Sequence, residues 1–121
     1  MRKNKLNVGI IGAGYIAQLC HIPAYLANPH SKIVGVADVD DEKLNEVKKR
    51  FGLQKVYSDY RELLEEDLDA VSICVPTKYH SRVAVEAAQK GLHILCEKPM
   101  ALTIEEAEHM INSCKKNNVQ L

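Results

Sequence analysis

A chain of 121 residues suits one domain with a real core and is short for a two-domain enzyme. Sixteen basic and sixteen acidic residues leave no net charge and no face reads as a basic stripe, which argues against nucleic acid and acidic lipid and for a small neutral-to-anionic ligand. Met1-Arg2-Lys3-Asn4-Lys5 is charged, but the apolar stretch behind it has only a strand's length and breaks at glycines, unlike a secretory leader. No run approaches a membrane span, so the expectation is a cytoplasmic protein with no membrane contact.

Leu6, Val8, Ile10 and Ile11 have the density of a strand buried on both faces. It ends abruptly in Gly12-Ala13-Gly14-Tyr15-Ile16-Ala17, a G-x-G-x-x-A turn. Gly12 permits the sharp turn, Gly14 removes the side chain that would block a pyrophosphate, and small Ala17 lets the following helix pack closely on the strand. The free N–H groups of that helix start then point at an anion. Tyr15 to Cys20 reads as helix, with Pro23 expected to end it or to start a separate short turn. Ile33, Val34 and Val36 form a second strand closing on Asp38, about 20 residues past the turn, where a carboxylate can accept both hydroxyl hydrogen bonds of an adenosine ribose.

Asp40 or Asp41 caps a second helix with Leu44, Val47 and Phe51 on one face and Gly52 at its end. Lys55-Val56-Tyr57 is a short third strand, and Asp59 caps the helix YRELLEE with Leu63 and Leu64 inward. Ala70 to Val75 is the fourth strand, closed by Pro76-Thr77, and the next helix carries Val83, Ala84, Ala87 and Ala88 on one stripe until Gly91 stops it. His93 to Cys96 is strand five. Thr103-Ile104-Glu105-Glu106 is a capping box opening a last helix whose Ile104, Ala107, Met110, Ile111 and Cys114 hold the helical period. Val119-Gln120-Leu121 reads as the beginning of a sixth strand. Cys20, Cys74, Cys96 and Cys114 lack metal or redox spacing and read as buried free thiols; no metal site is expected from them or from the histidines, and His21, His30, His93 and His109 read as surface or packing residues.

Strands alternating with helices imply an α/β doubly wound parallel sheet, a Rossmann fold of order 3-2-1-4-5-6 with ligands outside the carboxyl ends of the strands where the order reverses. That rim collects Gly12, Gly14, Asp38, Pro76, Thr77 and the residues after Cys96. There Glu97-Lys98-Pro99 sets a carboxylate and an ammonium side by side. With the glycine turn, Asp38, LDAVSICVPTKYH ending in His80, and KGLHILCEKPMALT, the chain resembles the N-terminal domain of the Gfo/Idh/MocA family (glucose-fructose oxidoreductase, inositol dehydrogenase and rhizopine catabolism proteins) over nearly its whole length.

The resemblance implies a nicotinamide-dinucleotide oxidoreductase acting on sugars, polyols and related compounds. By it, Glu97 and Lys98 approach the nicotinamide ribose, Lys98 is the catalytic residue that reaches the substrate, and His80 stands near the cofactor; an ammonium there can orient an alcohol and stabilise its developing alkoxide. By itself His80 reads equally as a helix-start residue, and Thr77 equally as a plain turn. The cofactor-binding set is thus Gly12, Gly14, Tyr15, Ile16, Ala17, Asp38, Pro76, Thr77, His80, Glu97 and Lys98. NAD is expected over NADP, since Asp38 would repel a 2′-phosphate and Val39 and Asp40 offer no cation to hold one. Pro99 is a candidate for a cis bond. The resemblance further implies a second domain supplying the substrate pocket and a homo-oligomer interface, so residues 1–121 are expected to be one dinucleotide-binding domain of a longer enzyme, inactive alone. A non-catalytic dinucleotide sensor and, more remotely, an S-adenosylmethionine-binding domain are the competing readings.

Overall fold

Leu6–Ile11 forms β1, the middle strand of a five-stranded sheet in a computed structural model that describes residues 4–121. The charged start at Met1-Arg2-Lys3 lies outside the described residues. The remaining strands are β2 (Ser31–Ala37), β3 (Val56–Tyr57), β4 (Ala70–Ile73) and β5 (His93–Cys96), in the order β3-β2-β1-β4-β5, all parallel. The expected 3-2-1-4-5 core is therefore present and the sixth strand is not: residues 119–121 lie beside β5 with one ladder-like bond, the Ile94 N–H donating to the Gln120 carbonyl at 2.9 Å. A single such bond leaves the segment short of a strand. No helix among the described residues is long and apolar enough to cross a membrane.

The helices fall on both faces because β1 is apolar on both. Val8 and Ile10 face one layer, packed with Ile22, Leu44 and Val47 from α1 (Ile22–Ala27) and α2 (Asp41–Phe51). Ile11 faces the other, with Leu63 of α3 (Tyr60–Leu63), Val83, Ala84 and Ala87 of α4 (His80–Gln89), and Met110 and Cys114 of α5 (Ile104–Lys116). Burying one such Ile or Leu stabilises by about 1.5–3 kcal/mol, so Ile10→Ala or Ile11→Ala would remove the layer contact that β1 exists to make. On the Ile11 side, Gly9 and Gly35 sit opposite one another in the β1–β2 register, and Leu63 fills the notch that two missing side chains leave.

Caps set the element starts. Asp40 accepts the Glu42 N–H at 3.0 Å and Asp59 the Arg61 N–H at 2.9 Å, each satisfying an orphan donor of a first turn. Thr103 accepts the Glu106 N–H at 3.1 Å, while the Glu106 carboxylate reaches back to the Leu102 N–H at 3.2 Å, closing the expected box one residue earlier than its usual return. Five expectations are corrected. The helix after β1 is not broken at Pro23: it widens into a π-helical turn over Ala17–His21 and continues as α1, with the Ile22 N–H donating to the Ala17 carbonyl and Pro23 in the first α-turn where no donor is needed. The helix begun at Asp59 stops after four residues, and β4 ends at Ile73 rather than Val75. Of the expected α5 stripe, Ala107, Met110 and Cys114 turn inward, whereas Ile104 is 73% exposed and Ile111 also faces out. All four cysteines are free, but only Cys114 is buried; Cys20 is exposed, and Cys74 and Cys96 are half-buried.

Candidate functional site at the carboxyl rim

The strand order reverses between β1 and β4, which opens a crevice above their carboxyl ends. A cleft of about 850 Å³ occupies it, lined by Gly12, Gly14, Asp38, Lys43, Pro76, Tyr79 and Arg82 among others. Gly12 has φ +103°, and a Cβ on it would lie 2.6 Å from the Cys74 carbonyl carbon, so this residue is fixed by the fold itself. Gly14 differs. A Cβ there would meet only the Lys43 ammonium, at 3.9 Å, and would project into open cleft. No contact among the described residues requires Gly14 to be bare, and a bare position is what an anion pressed against backbone N–H groups needs.

Asp38 is bound into the turn. Its Oδ2 accepts the Ala13 N–H at 2.7 Å and its Oδ1 the Asp40 N–H at 2.8 Å. An ionised carboxylate offers about four lone-pair sites, so about two remain, enough for a vicinal diol. Gln18 completes the frame from below, donating from Nε2 to the Ala13 carbonyl at 2.8 Å and to Glu46 at 3.1 Å. On the far wall Tyr60 and Arg61 line the cleft and both donate to Glu86 of α4 behind them, Arg61 at 2.9 Å; burial first, then this carboxylate, pushes the Tyr60 phenol up to about 12.

The second half of the rim lies at the ends of β4 and β5. The Glu97 N–H donates to the Ile73 carbonyl at 3.0 Å, placing Glu97-Lys98-Pro99 directly after the ladder, and the Lys98–Pro99 bond is cis. Lys98 is exposed and among the described residues its ammonium makes no hydrogen bond or ion pair, although its charge acts on Glu97. Glu97 is held at both oxygens: Oε1 accepts from His21 Nε2 at 2.8 Å and Oε2 from the Lys98 N–H at 3.1 Å. These contacts, His21 foremost, hold its carboxyl below the usual glutamate range. Burial, reinforced by Glu97, pushes the nearby thiols of Cys74 and Cys96 up to about 12 and about 11.

The sequence-derived residues thus divide. Gly12, Gly14, Asp38 and Pro76 line the cleft; Tyr15, 80% exposed, opens onto an adjoining hollow of about 400 Å³; Ile16 and Thr77 are half-buried beside them; and Ala17 is buried in the packing role expected of it. Glu97 and Lys98 stand one strand over. His80 differs from these. It is 1% exposed, with Nε2 2.8 Å from the Val75 carbonyl and Nδ1 3.0 and 3.3 Å from those of Pro99 and Met100, so its ring ties two rim loops together. His21, read as surface or packing, proves to be the partner of Glu97. Its signal was position: four residues after Ala17 it shares that residue's sheet-facing side, and a histidine buried there requires partners. Lys43, Gln18 and Glu86 carried no comparable signal.

An oxidoreductase family described by its NAD-binding Rossmann fold matches residues 6–121. The myo-inositol 2-dehydrogenase of Thermotoga maritima is 32% identical over 117 residues, 96% of this chain and 35% of that protein. Among solved structures, the WlbA dehydrogenase of Bordetella pertussis, in complex with NADH and UDP-GlcNAcA, superposes with a TM-score of 0.92 at 28% identity over 100% of this chain and 36% of that one. The 3-ketoreductase KijD10 of Actinomadura kijaniata, in complex with NADP and TDP-benzene, gives 0.88 at 29% identity over 96% and 36%. The chain spans about a third of the length of the relatives it matches. With the fold in agreement with that match, the chain belongs to the Gfo/Idh/MocA oxidoreductase family as its NAD-binding domain.

Proposed function

We propose that this chain is the cofactor domain of a cytoplasmic enzyme that moves a hydride between a nicotinamide dinucleotide, NAD in preference to NADP, and a sugar, polyol or related hydroxy compound. The observation that carries the reading is the pairing of a bare Gly14 with an Asp38 carboxylate that keeps free lone pairs, side by side in one cleft. The relatives' activities favour the same substrate class.

The dinucleotide, when bound, supplies or accepts the hydride. The chain's own residues do the rest. Backbone N–H groups of the glycine turn beyond Ala13 receive the pyrophosphate, with the Lys43 ammonium beside Gly14 adding positive charge. Asp38 accepts the ribose hydroxyls and repels a 2′-phosphate. Pro76 and Thr77 flank the nicotinamide half, where Glu97 orients the second ribose. Lys98, exposed at the rim, holds the substrate oxygen and stabilises the negative charge that develops there as hydride leaves or arrives.

Two measurements test this. Titrated with NADH and NADPH, the chain is expected to bind NADH more tightly; equal or tighter NADPH binding sinks the preference. In the full-length protein, Lys98→Ala should lower turnover about a hundredfold to a thousandfold with little change in nucleotide affinity, because the group acts where charge develops in the transition state. Near-normal turnover with weakened nucleotide binding would make Lys98 an anchor for the cofactor instead.

A further inference from the structure

His21 lies in the π-helical turn Ala17–His21, the one stretch of widened helix among the described residues, and such turns recur at functional sites. It is 9% exposed and both ring nitrogens are engaged: Nε2 with Glu97 at 2.8 Å and Nδ1 with the Ser72 hydroxyl at 3.1 Å. Ser72, fully buried on β4, is in turn 2.7 Å from the Tyr25 hydroxyl of α1. Four side chains from three elements and the rim loop thus form a single file ending at the Glu97-Lys98 pair.

Proton counting gives the file a direction. An ionised carboxylate only accepts, so His21 Nε2 carries a hydrogen. In the neutral ring Nδ1 is then a lone pair, and only the Ser72 hydroxyl can fill it. That uses the single serine hydrogen, so the Tyr25 hydroxyl donates to the serine oxygen. Each link has one hydrogen and every buried polar atom is satisfied, consistent with the absence of any unpartnered buried side-chain polar atom among the described residues. If the ring gains a second proton, the Ser72 and Tyr25 links reverse while Nε2 still donates to Glu97.

We infer that His21 is a positioning residue: through the Tyr25–Ser72–His21 file it fixes the Glu97 carboxylate, and through Glu97 the Lys98 backbone, at the nicotinamide end of the rim. The inference rests on reading residues 97–99 as that end. The link to Lys98 is direct, since the other Glu97 oxygen accepts the Lys98 N–H at 3.1 Å. Freed from His21, Glu97 could rotate and release that tether. The charged and titratable groups that face Glu97 are His21, Lys98, Cys74 and Cys96. The thiols stay protonated at neutral pH, their pKa values raised first by burial, so His21 and Lys98 are the groups that set its environment there.

The test reads the apo chain first. Long-range proton–nitrogen NMR on the ¹⁵N-histidine-labelled chain should find hydrogen on Nε2 of His21 at neutral pH; a neutral ring protonated at Nδ1 alone overturns the inference without any variant. Carboxyl-carbon NMR should find Glu97 titrating below the ordinary glutamate value, returning upward in His21→Phe and staying low in His21→Gln, which keeps a donor at the same reach. An unmoved Glu97 in His21→Phe also overturns it.

Binding then separates this inference from the one beneath it. His21→Phe should weaken NADH about tenfold, the weight of one hydrogen bond to a charged group, and leave ADP, which lacks both the second ribose and the nicotinamide, unchanged. Equal loss of both ligands would mean general damage and count against positioning. Failure of the unaltered chain to bind either ligand would instead sink the dinucleotide reading, with the tautomer and titration still deciding whether His21 fixes Glu97.

Discussion

The two halves of the rim are built by different means. On the β1–β2 side the turn is fixed by backbone: Gly12 admits the Cys74 carbonyl, and Asp38 takes two backbone N–H groups with its own carboxylate. On the β4–β5 side the loop is fixed by two imidazoles, His80 lodged among three backbone carbonyls, to which a neutral ring donates from one nitrogen, and His21 gripping Glu97. Backbone geometry tolerates few residue types at a given position, whereas a side-chain clamp can be supplied from anywhere the fold happens to bring close. The first half should therefore fail abruptly under substitution and the second by degrees.

The largest break is expected within the glycine turn itself. Gly12→Val puts a branched side chain at φ +103° into the Cys74 backbone and should cost at least about 3 kcal/mol, measured by urea unfolding. Gly14→Val, whose Cβ meets nothing closer than 3.9 Å, should cost under about 1 kcal/mol and yet abolish NADH binding. If both variants unfold alike, or if Gly14→Val binds normally, the division of labour between the two glycines is wrong.

A smaller effect is expected from the clamp. His80→Phe removes the ring nitrogens that bridge the Val75 carbonyl to those of Pro99 and Met100 and should destabilise by about 1–3 kcal/mol while preserving the glycine half; ADP titration on the folded variant checks that the damage stays on its own side. Smaller still is the acid limb of stability. The folded Glu97 carboxyl titrates below its ordinary value of 4.5, so the stability it contributes is present above that value and is lost as pH falls through the lowered one. Unfolding followed between pH 5 and the acid end should show a shallower decline in Glu97→Gln, and an unchanged slope would mean that the contact carries no linkage. The least perturbing measurement is thiol counting: Cys20, exposed, should react with a maleimide at once, ahead of half-buried Cys74 and Cys96, whose raised pKa values keep them as thiols, and of buried Cys114.

The same contrast explains what could be read from the residues alone. Gly12, Gly14, Asp38 and the Thr103 cap were legible because each answers to local geometry within a few residues or to a spacing the fold imposes. His21 was not, because its partner lies 76 residues away and becomes visible only when β4 and β5 are side by side. Pro23 misled for a related reason: a proline predicts a broken α-helix, but a wider turn keeps the chain helical and carries His21 to its partners. Lys43 was passed over because it sits a turn into α2, beyond the residues next to Asp38, although the fold returns its ammonium to the mouth of Gly14. The last helix was read as one apolar stripe, yet the sheet accepts only the Ala107, Met110 and Cys114 side, leaving Ile104 and Ile111 outward.

The double duty of Asp38 constrains how this site can be re-engineered. Replacing it by a small neutral residue, which under the proposed function is the direct way to admit a 2′-phosphate, would also leave the Ala13 and Asp40 N–H groups without their acceptor and loosen the turn between β1 and the helix that follows it. Asn would keep one acceptor and aim an NH₂ at the other donor. Its neighbour Val39 is 92% exposed. A cation introduced at Val39 would leave those two turn bonds standing, so an evolutionary or designed path toward NADP is smoother if it adds charge at position 39 before it touches position 38.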